Sequence, residues 1–245
     1  MGEALFWGLF AGSSLILGGA IGLWLPLPRE LRGLIMGFGA GVLISAVAYE
    51  LVDDAFEAAD GFAIVAVGLL VGAATFFVGD LYVDRMGAAD RKRSDGTSAA
   101  AAGTGLAIVL GIVLDGIPES AVIGLTLLEG AGVSAAMIVA VFLSNLPEAI
   151  AATTGLARSG WSTGKILALW VGVTLVSGLS ALLGFVIFDG ASASWLAFVL
   201  AFAAGAILTM LADTMMPEAF ERGGKWTGLA TTLGFAVAFA VTALE

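Results

Sequence analysis

The sequence of 245 residues contains neither cysteine nor histidine, and only 12% of it is charged. Without cysteine there is no disulfide and no thiolate ligand. Without histidine the commonest transition-metal ligand is gone and the zincin pattern fails outright, so a metal site must rest on oxygen donors and a few methionine thioethers. Proline is scarce, at five residues. What fills the chain is apolar: 60% of residues are hydrophobic, 35 are glycine, and the mean hydropathy is +1.05. That composition excludes an ordinary soluble globule and is that of closely packed membrane helices. The first apolar run follows Glu3 rather than a basic region and outlasts a signal h-region, so it reads as a retained span.

Apolar runs of about 20 residues, the length that crosses a bilayer, cover roughly 4–26, 33–56, 62–83, 104–128, 133–156, 165–188, 194–216 and 226–244. The expected architecture is therefore an all-α membrane protein of eight transmembrane helices in one domain, 1–245, with a flexible loop at 84–103. Every basic residue falls in an alternate connection: Arg29 and Arg32, then Arg85, Arg91, Lys92 and Arg93, then Arg158 and Lys165, then Arg222 and Lys225. All ten share one side, which the positive-inside rule makes cytoplasmic. Both termini, and the turns holding Asp53, Asp54, Glu57, Asp60, Glu129 and Asp189, are expected outside an inner (plasma) membrane.

Phe38-Gly39-Ala40-Gly41 followed by Asp54-Ala55-Phe56-Glu57 matches Phe202-Ala203-Ala204-Gly205 followed by Glu218-Ala219-Phe220-Glu221, each 164 residues later. The second and seventh spans, five apart, cross in opposite directions. This implies an inverted repeat, spans 1–3 mirrored by 6–8 and span 4 by span 5, a plan common among secondary transporters with binding at the midplane.

Two of the scarce prolines lie where the chemistry is expected. Asp115-Gly116-Ile117-Pro118-Glu119 and Ser144-Asn145-Leu146-Pro147-Glu148 sit at the midpoints of the fourth and fifth runs. An acid at the bilayer centre costs roughly 2.5–3.5 kcal/mol on insertion scales, so a compensating group is required. Asp115 and Glu119, like Ser144 and Glu148, are four residues apart and share a helix face. Asn145 shares it approximately. Pro118 and Pro147 cannot donate to the carbonyls of Leu114 and Leu143, which frees two more oxygens at that depth. The set forms an oxygen-only cage suited to a hard or borderline divalent cation. The plainer reading is protonated acids hydrogen-bonded inside the bundle, with the prolines as kinks.

The two phrases resemble the fourth- and fifth-helix signatures of the ZIP (Zrt/Irt-like) divalent metal transporters, His-Asn-x-Pro-Glu-Gly and a related x-x-x-Pro-Glu. The Phe-x-Ala-Gly segments of the second and seventh runs, the eight spans and the long loop after the third fit the same family. The resemblance implies import of zinc, iron, manganese or cadmium, a metal site of Asp115, Glu119, Ser144, Asn145 and Glu148, and Leu43 lining it. It implies metal ions and the lipid bilayer as partners, no organic cofactor, no nucleic acid and no enzymatic activity, and is compatible with a homodimer. This chain departs from the pattern in having Asp115 for the histidine, Gly116 for the asparagine and Ser177 for a helix-6 acid, which removes ligands from a second metal position.

Glu50, Asp53 and Asp54 at the outer end, and Asp213, Glu218 and Glu221 at the inner end, are expected as entrance and exit carboxylates that concentrate cations, with Glu50 and Asp213 the deeper pair. Asp80 and Asp84 fall near Arg85, and Val78-Gly79-Asp80 is a poor match to an intramembrane aspartyl protease. Trp24, Trp161, Trp195 and Trp226 fall near span ends as interfacial anchors. The alternative function is a proton- or organic-ion-coupled carrier using the same carboxylates.

Overall fold

The computed structural model describes residues 1–25, 27–59, 61–85, 103–128 and 134–244. Most of the expected loop at 84–103, with Arg91, Lys92 and Arg93, lies outside the described residues, as do Asp60 and Glu129. All regular structure among the described residues is helical: α1 (Gly2–Trp24), α2 (Arg29–Ala46), α3 (Asp53–Ala58), α4 (Phe62–Arg85), α5 (Gly103–Thr126), α6 (Ala135–Arg158), α7 (Thr163–Phe188), α8 (Ala193–Met210), α9 (Met216–Gly223) and α10 (Thr227–Thr242). Single π-helical stretches, Val47–Val52 and Leu211–Met215, join α2 to α3 and α8 to α9, and a 3-10 turn, Gly224–Trp226, joins α9 to α10. Among the described residues, seven helical stretches are long and apolar enough to cross a bilayer; the second runs Arg29–Ala58 and the last Ala193–Thr242. This is an all-α membrane protein. The second run exceeds its expected limits of 33–56 at both ends, and the π turn within it joins α2 to α3 without ending the helix.

Local sequence sets several helix starts. Ser134, Ser162 and Ser192 each accept the amide hydrogen of the residue three further on, Met137, Lys165 and Trp195, at 3.0, 3.4 and 3.3 Å. Each satisfies a donor that the first turn leaves open, worth about 1 kcal/mol against alanine.

Neighbours in the bundle are not neighbours in the chain. The most extensive contacts pair α4 with α8, α1 with both α6 and α7, α2 with α10, and α5 with α7. Hydrocarbon gives helices no hydrophobic drive to associate, so close approach of small residues must supply the packing. Gly37 and Gly41 of α2 meet Thr227 and Thr231 of α10, and Tyr49 beyond them meets Phe239, so these helices run parallel. Gly68 and Gly72 of α4 meet Phe198 and Phe202 of α8, also in parallel. Gly18 and Gly22 of α1 follow Leu146 and Ile150 of α6 in the same sense, whereas Gly8, Gly12 and Gly19 meet Ala181, Ser177 and Trp170 of α7 in reverse order.

Two of these contacts are reciprocal. A methyl group on Gly41 would lie 1.9 Å from the Thr231 carbonyl oxygen, and one on Gly234 would lie 2.0 Å from that of Phe38. Between α8 and α4, a methyl on Gly205 would lie 2.0 Å from the Leu69 oxygen and one on Gly72 would lie 1.9 Å from that of Phe202. Phe38 and Gly41 precede Phe202 and Gly205 by 164 residues, as Val47 precedes Leu211 where the two π turns begin.

The interior cluster includes Leu43, Met137, Val141, Leu200, Ile207 and Met210. A second cluster surrounds fully buried Trp170, whose Nε1 donates to Thr153 Oγ1 at 2.7 Å. The rim is apolar as well: α4 exposes Phe62, Leu70 and Val78, and α7 exposes Leu175, Leu179 and Leu183. A surface of this kind is at home only against lipid.

Candidate metal centre

Both Pro-Glu phrases lie inside unbroken helices, Pro118 in α5 and Pro147 in α6. Neighbouring helices and side chains let membrane helices keep such prolines. Ser144 Oγ donates to Glu119 Oε2 at 3.4 Å and stands 3.1 Å from the Val141 carbonyl. One hydroxyl proton cannot serve both acceptors at once, so the carboxylate is held weakly. Glu119 is 1% exposed, and its Oε1 is buried with no hydrogen-bond partner among the described residues. An uncompensated carboxylate oxygen is among the costliest groups to bury. Ser144 and Asn145 are buried, while Asp115 and Glu148 are partly buried.

The wall opposite comes from α2 and the second π turn. A methyl on Gly39 would stand 3.2 Å from Ser144 Cα, 3.3 Å from the Leu143 oxygen and 3.1 Å from Met215 Cε, so α2 lies close along the Pro147 region of α6. Leu43, one turn further along α2, is fully buried in the interior cluster. Met215, one of the few methionines of the chain and expected to pack rather than to bind metal, closes the second π turn and brings its Cε here.

The structure unites Glu119 with Ser144 across α5 and α6, but no group of three Asp or Glu side chains converges tightly enough to hold a metal among the described residues. Ser177 is buried in the α1–α7 interface against Gly12, beside Thr174, which donates to the Gly12 carbonyl at 2.9 Å.

The entrance and exit carboxylates divide. Glu50, in the first π turn, is 7% exposed and accepts from Ser134 Oγ at 2.5 Å and Thr242 Oγ1 at 2.8 Å. Asp53 is exposed and Asp54 half-buried. Asp213, expected deep, is exposed, because the π turn rotates it outward. Glu218 pairs with Arg222 one turn on, and Glu221 pairs with Arg29 at 2.8 Å. Arg222 is itself buried, at 8% exposure, rather than lying free on the basic face. Asp80 is buried on α4.

No family model matches the chain. It is 28% identical over 209 residues to a protein of Arabidopsis thaliana named "Putative zinc transporter", an overlap of 84% of this chain and 32% of that protein. The chain thus spans about a third of the length of the curated relative it matches. The match agrees with the ZIP-like character read from the two Pro-Glu phrases.

Proposed function

We propose that this protein is a ZIP-type secondary transporter that carries divalent metal ions of the zinc, iron and manganese class into the cytoplasm through a midplane site of Asp115, Glu119, Ser144, Asn145 and Glu148. The observation that carries the reading is the buried, unpartnered Oε1 of Glu119, set beside Ser144 where two proline-bearing helices cross. A cation passing that point compensates the carboxylate, and the prolines leave carbonyls at the same depth to complete its shell. The kinship with a protein named as a zinc transporter supports the substrate class.

The proposed frame is eight passes in an inverted repeat. Ala193–Thr242 would measure about 75 Å as one straight helix, against a hydrocarbon thickness of about 30 Å, so it supplies two passes separated near Gly224–Trp226. The reciprocal glycine contacts, the π turns at matching positions and the parallel α2–α10 and α4–α8 pairs are what the two-fold relation requires. Rocking or sliding of one helix group against the other then exposes the site alternately to each side. The one-sided distribution of basic residues supports an orientation with the termini outside, in which inward transport runs from the acidic outer mouth to the inner one.

Uptake of zinc, manganese or iron(II) by proteoliposomes tests the reading, with Glu119→Gln as the inactive control. A proton- or organic-ion-coupled carrier is the second reading, favoured by the lack of a three-carboxylate group among the described residues. It predicts metal-independent uptake that a pH gradient drives and that the same variant abolishes.

A further inference from the structure

The end of the bundle where α1 finishes, α2 begins and α6 finishes holds a cavity of about 260 Å³ whose lining includes none of the proposed metal ligands. It is lined by Gly22, Leu25, Leu27, Arg32, Ile150, Thr154 and Arg158. Arg32 has Arg29, Arg158 and Arg222 as cationic electrostatic neighbours and Glu218 as the opposing charge. Glu218 is already paired with Arg222, and Glu221 with Arg29. Arg32 Nε is buried with no hydrogen-bond partner among the described residues. A half-buried guanidinium pressed toward other guanidiniums, with an orphaned donor at a cavity wall, fits an anion as its complement.

The walls narrow the chemistry. Guanidinium forks match the oxygens of a phosphate group, to which they donate in pairs. Thr154 Oγ1 donates its proton to the Ile150 carbonyl at 2.9 Å, so recognition falls to the arginines. Leu25, Leu27 and Ile150 form an apolar side that suits a glycerol or acyl segment. The volume suits a phosphate with a few carbons rather than a drug-sized ligand, for which about 300 Å³ is the lower bound.

We propose that this cavity binds a phosphate-bearing anion through Arg32 and Arg158, from either a lipid headgroup or free phosphate. On the orientation argued above, it opens at the cytoplasmic boundary, where anionic headgroups are available. The site is independent of transport and stands or falls without it.

The test is thermal unfolding of the detergent-purified protein titrated with short-chain phosphatidylglycerol and, separately, with inorganic phosphate. Phosphatidylglycerol is expected to raise Tm saturably. Arg158→Gln, at an exposed position, and Arg32→Gln/Arg158→Gln should each weaken the titration roughly tenfold or more, as loss of charged hydrogen bonds requires. Arg85→Gln, a basic residue of the same side off the cavity, should titrate as the unaltered protein does. An equal, arginine-dependent response to inorganic phosphate assigns the site to a free anion; a response to phosphatidylglycerol alone assigns it to lipid. A flat titration with both ligands, or equal weakening by Arg85→Gln, overturns the proposal.

Discussion

Ser134 Oγ donates to Glu50 Oε2 at 2.5 Å, joining the N-cap of α6 to the π turn that follows α2. The same hydroxyl accepts the Met137 amide hydrogen, and the other oxygen of Glu50 takes Thr242 at the end of α10. One carboxylate thus fastens three elements at a single end of the bundle. Ser134→Ala should lower stability by about 1–3 kcal/mol through loss of both the cap and a charge-assisted bond. A double-mutant cycle with Glu50→Ala in thermal or denaturant unfolding should give a coupling above about 0.5 kcal/mol. Additive effects would mean that the two side chains do not interact in the membrane-like environment.

Glu119→Gln and Glu148→Gln should each reduce metal uptake roughly tenfold or more, since each removes a donor charge without changing volume, and groups around metal sites have effects of this size. Both variants should purify as folded protein with near-normal Tm. Wild-type transport by either one in liposomes would remove that residue from the site.

Gly41→Ala and Gly205→Ala should be similarly destabilising, by about 1–3 kcal/mol or more, because each methyl would fall within 2.0 Å of a carbonyl oxygen on the facing helix. Gly116→Ala, with nothing within 4 Å of the added methyl, is the control and should be near neutral. Unfolding in detergent followed by tryptophan fluorescence reads all three. Unequal penalties at 41 and 205 would count against the two halves packing alike.

A single cysteine at Gly61 or Gly190 should react with an impermeant thiol reagent outside intact cells, and one at Ser159 should not. The chain has no native thiol to compete. The opposite pattern would reverse both the orientation and the direction of transport.

Asp115→His should shift competition in favour of zinc, because imidazole is the donor that an oxygen-only set lacks. The unaltered protein should accept manganese, iron(II) and cadmium comparably with zinc and bind one central metal per chain. Calorimetry finding two tight central metals, or strict zinc preference with no gain in the variant, would refute this account of selectivity.

The sequence by itself determined what depends on composition and period. Apolar runs the length of a bilayer dictate membrane helices, because hydrocarbon leaves backbone groups no other partner. Ser162 and Ser192 mark helix starts through bonds only three residues long, and the Pro-Glu phrases stand out because proline and glutamate are expensive at that depth. The identity of groups meeting across the bundle was not legible. Glu50, Ser134 and Thr242 are far apart in the chain, and Met215 reaches Gly39 only through a π turn that no local pattern announces. Tertiary structure alone decided that Asp213 turns outward, that Glu221 pairs with Arg29 far away in the chain, and that the Ser144 hydroxyl is the group that reaches Glu119 across α5 and α6. Each outcome depends on the rotation and separation of packed helices, which are set by how closely small residues let the backbones approach, and a linear pattern does not record that distance.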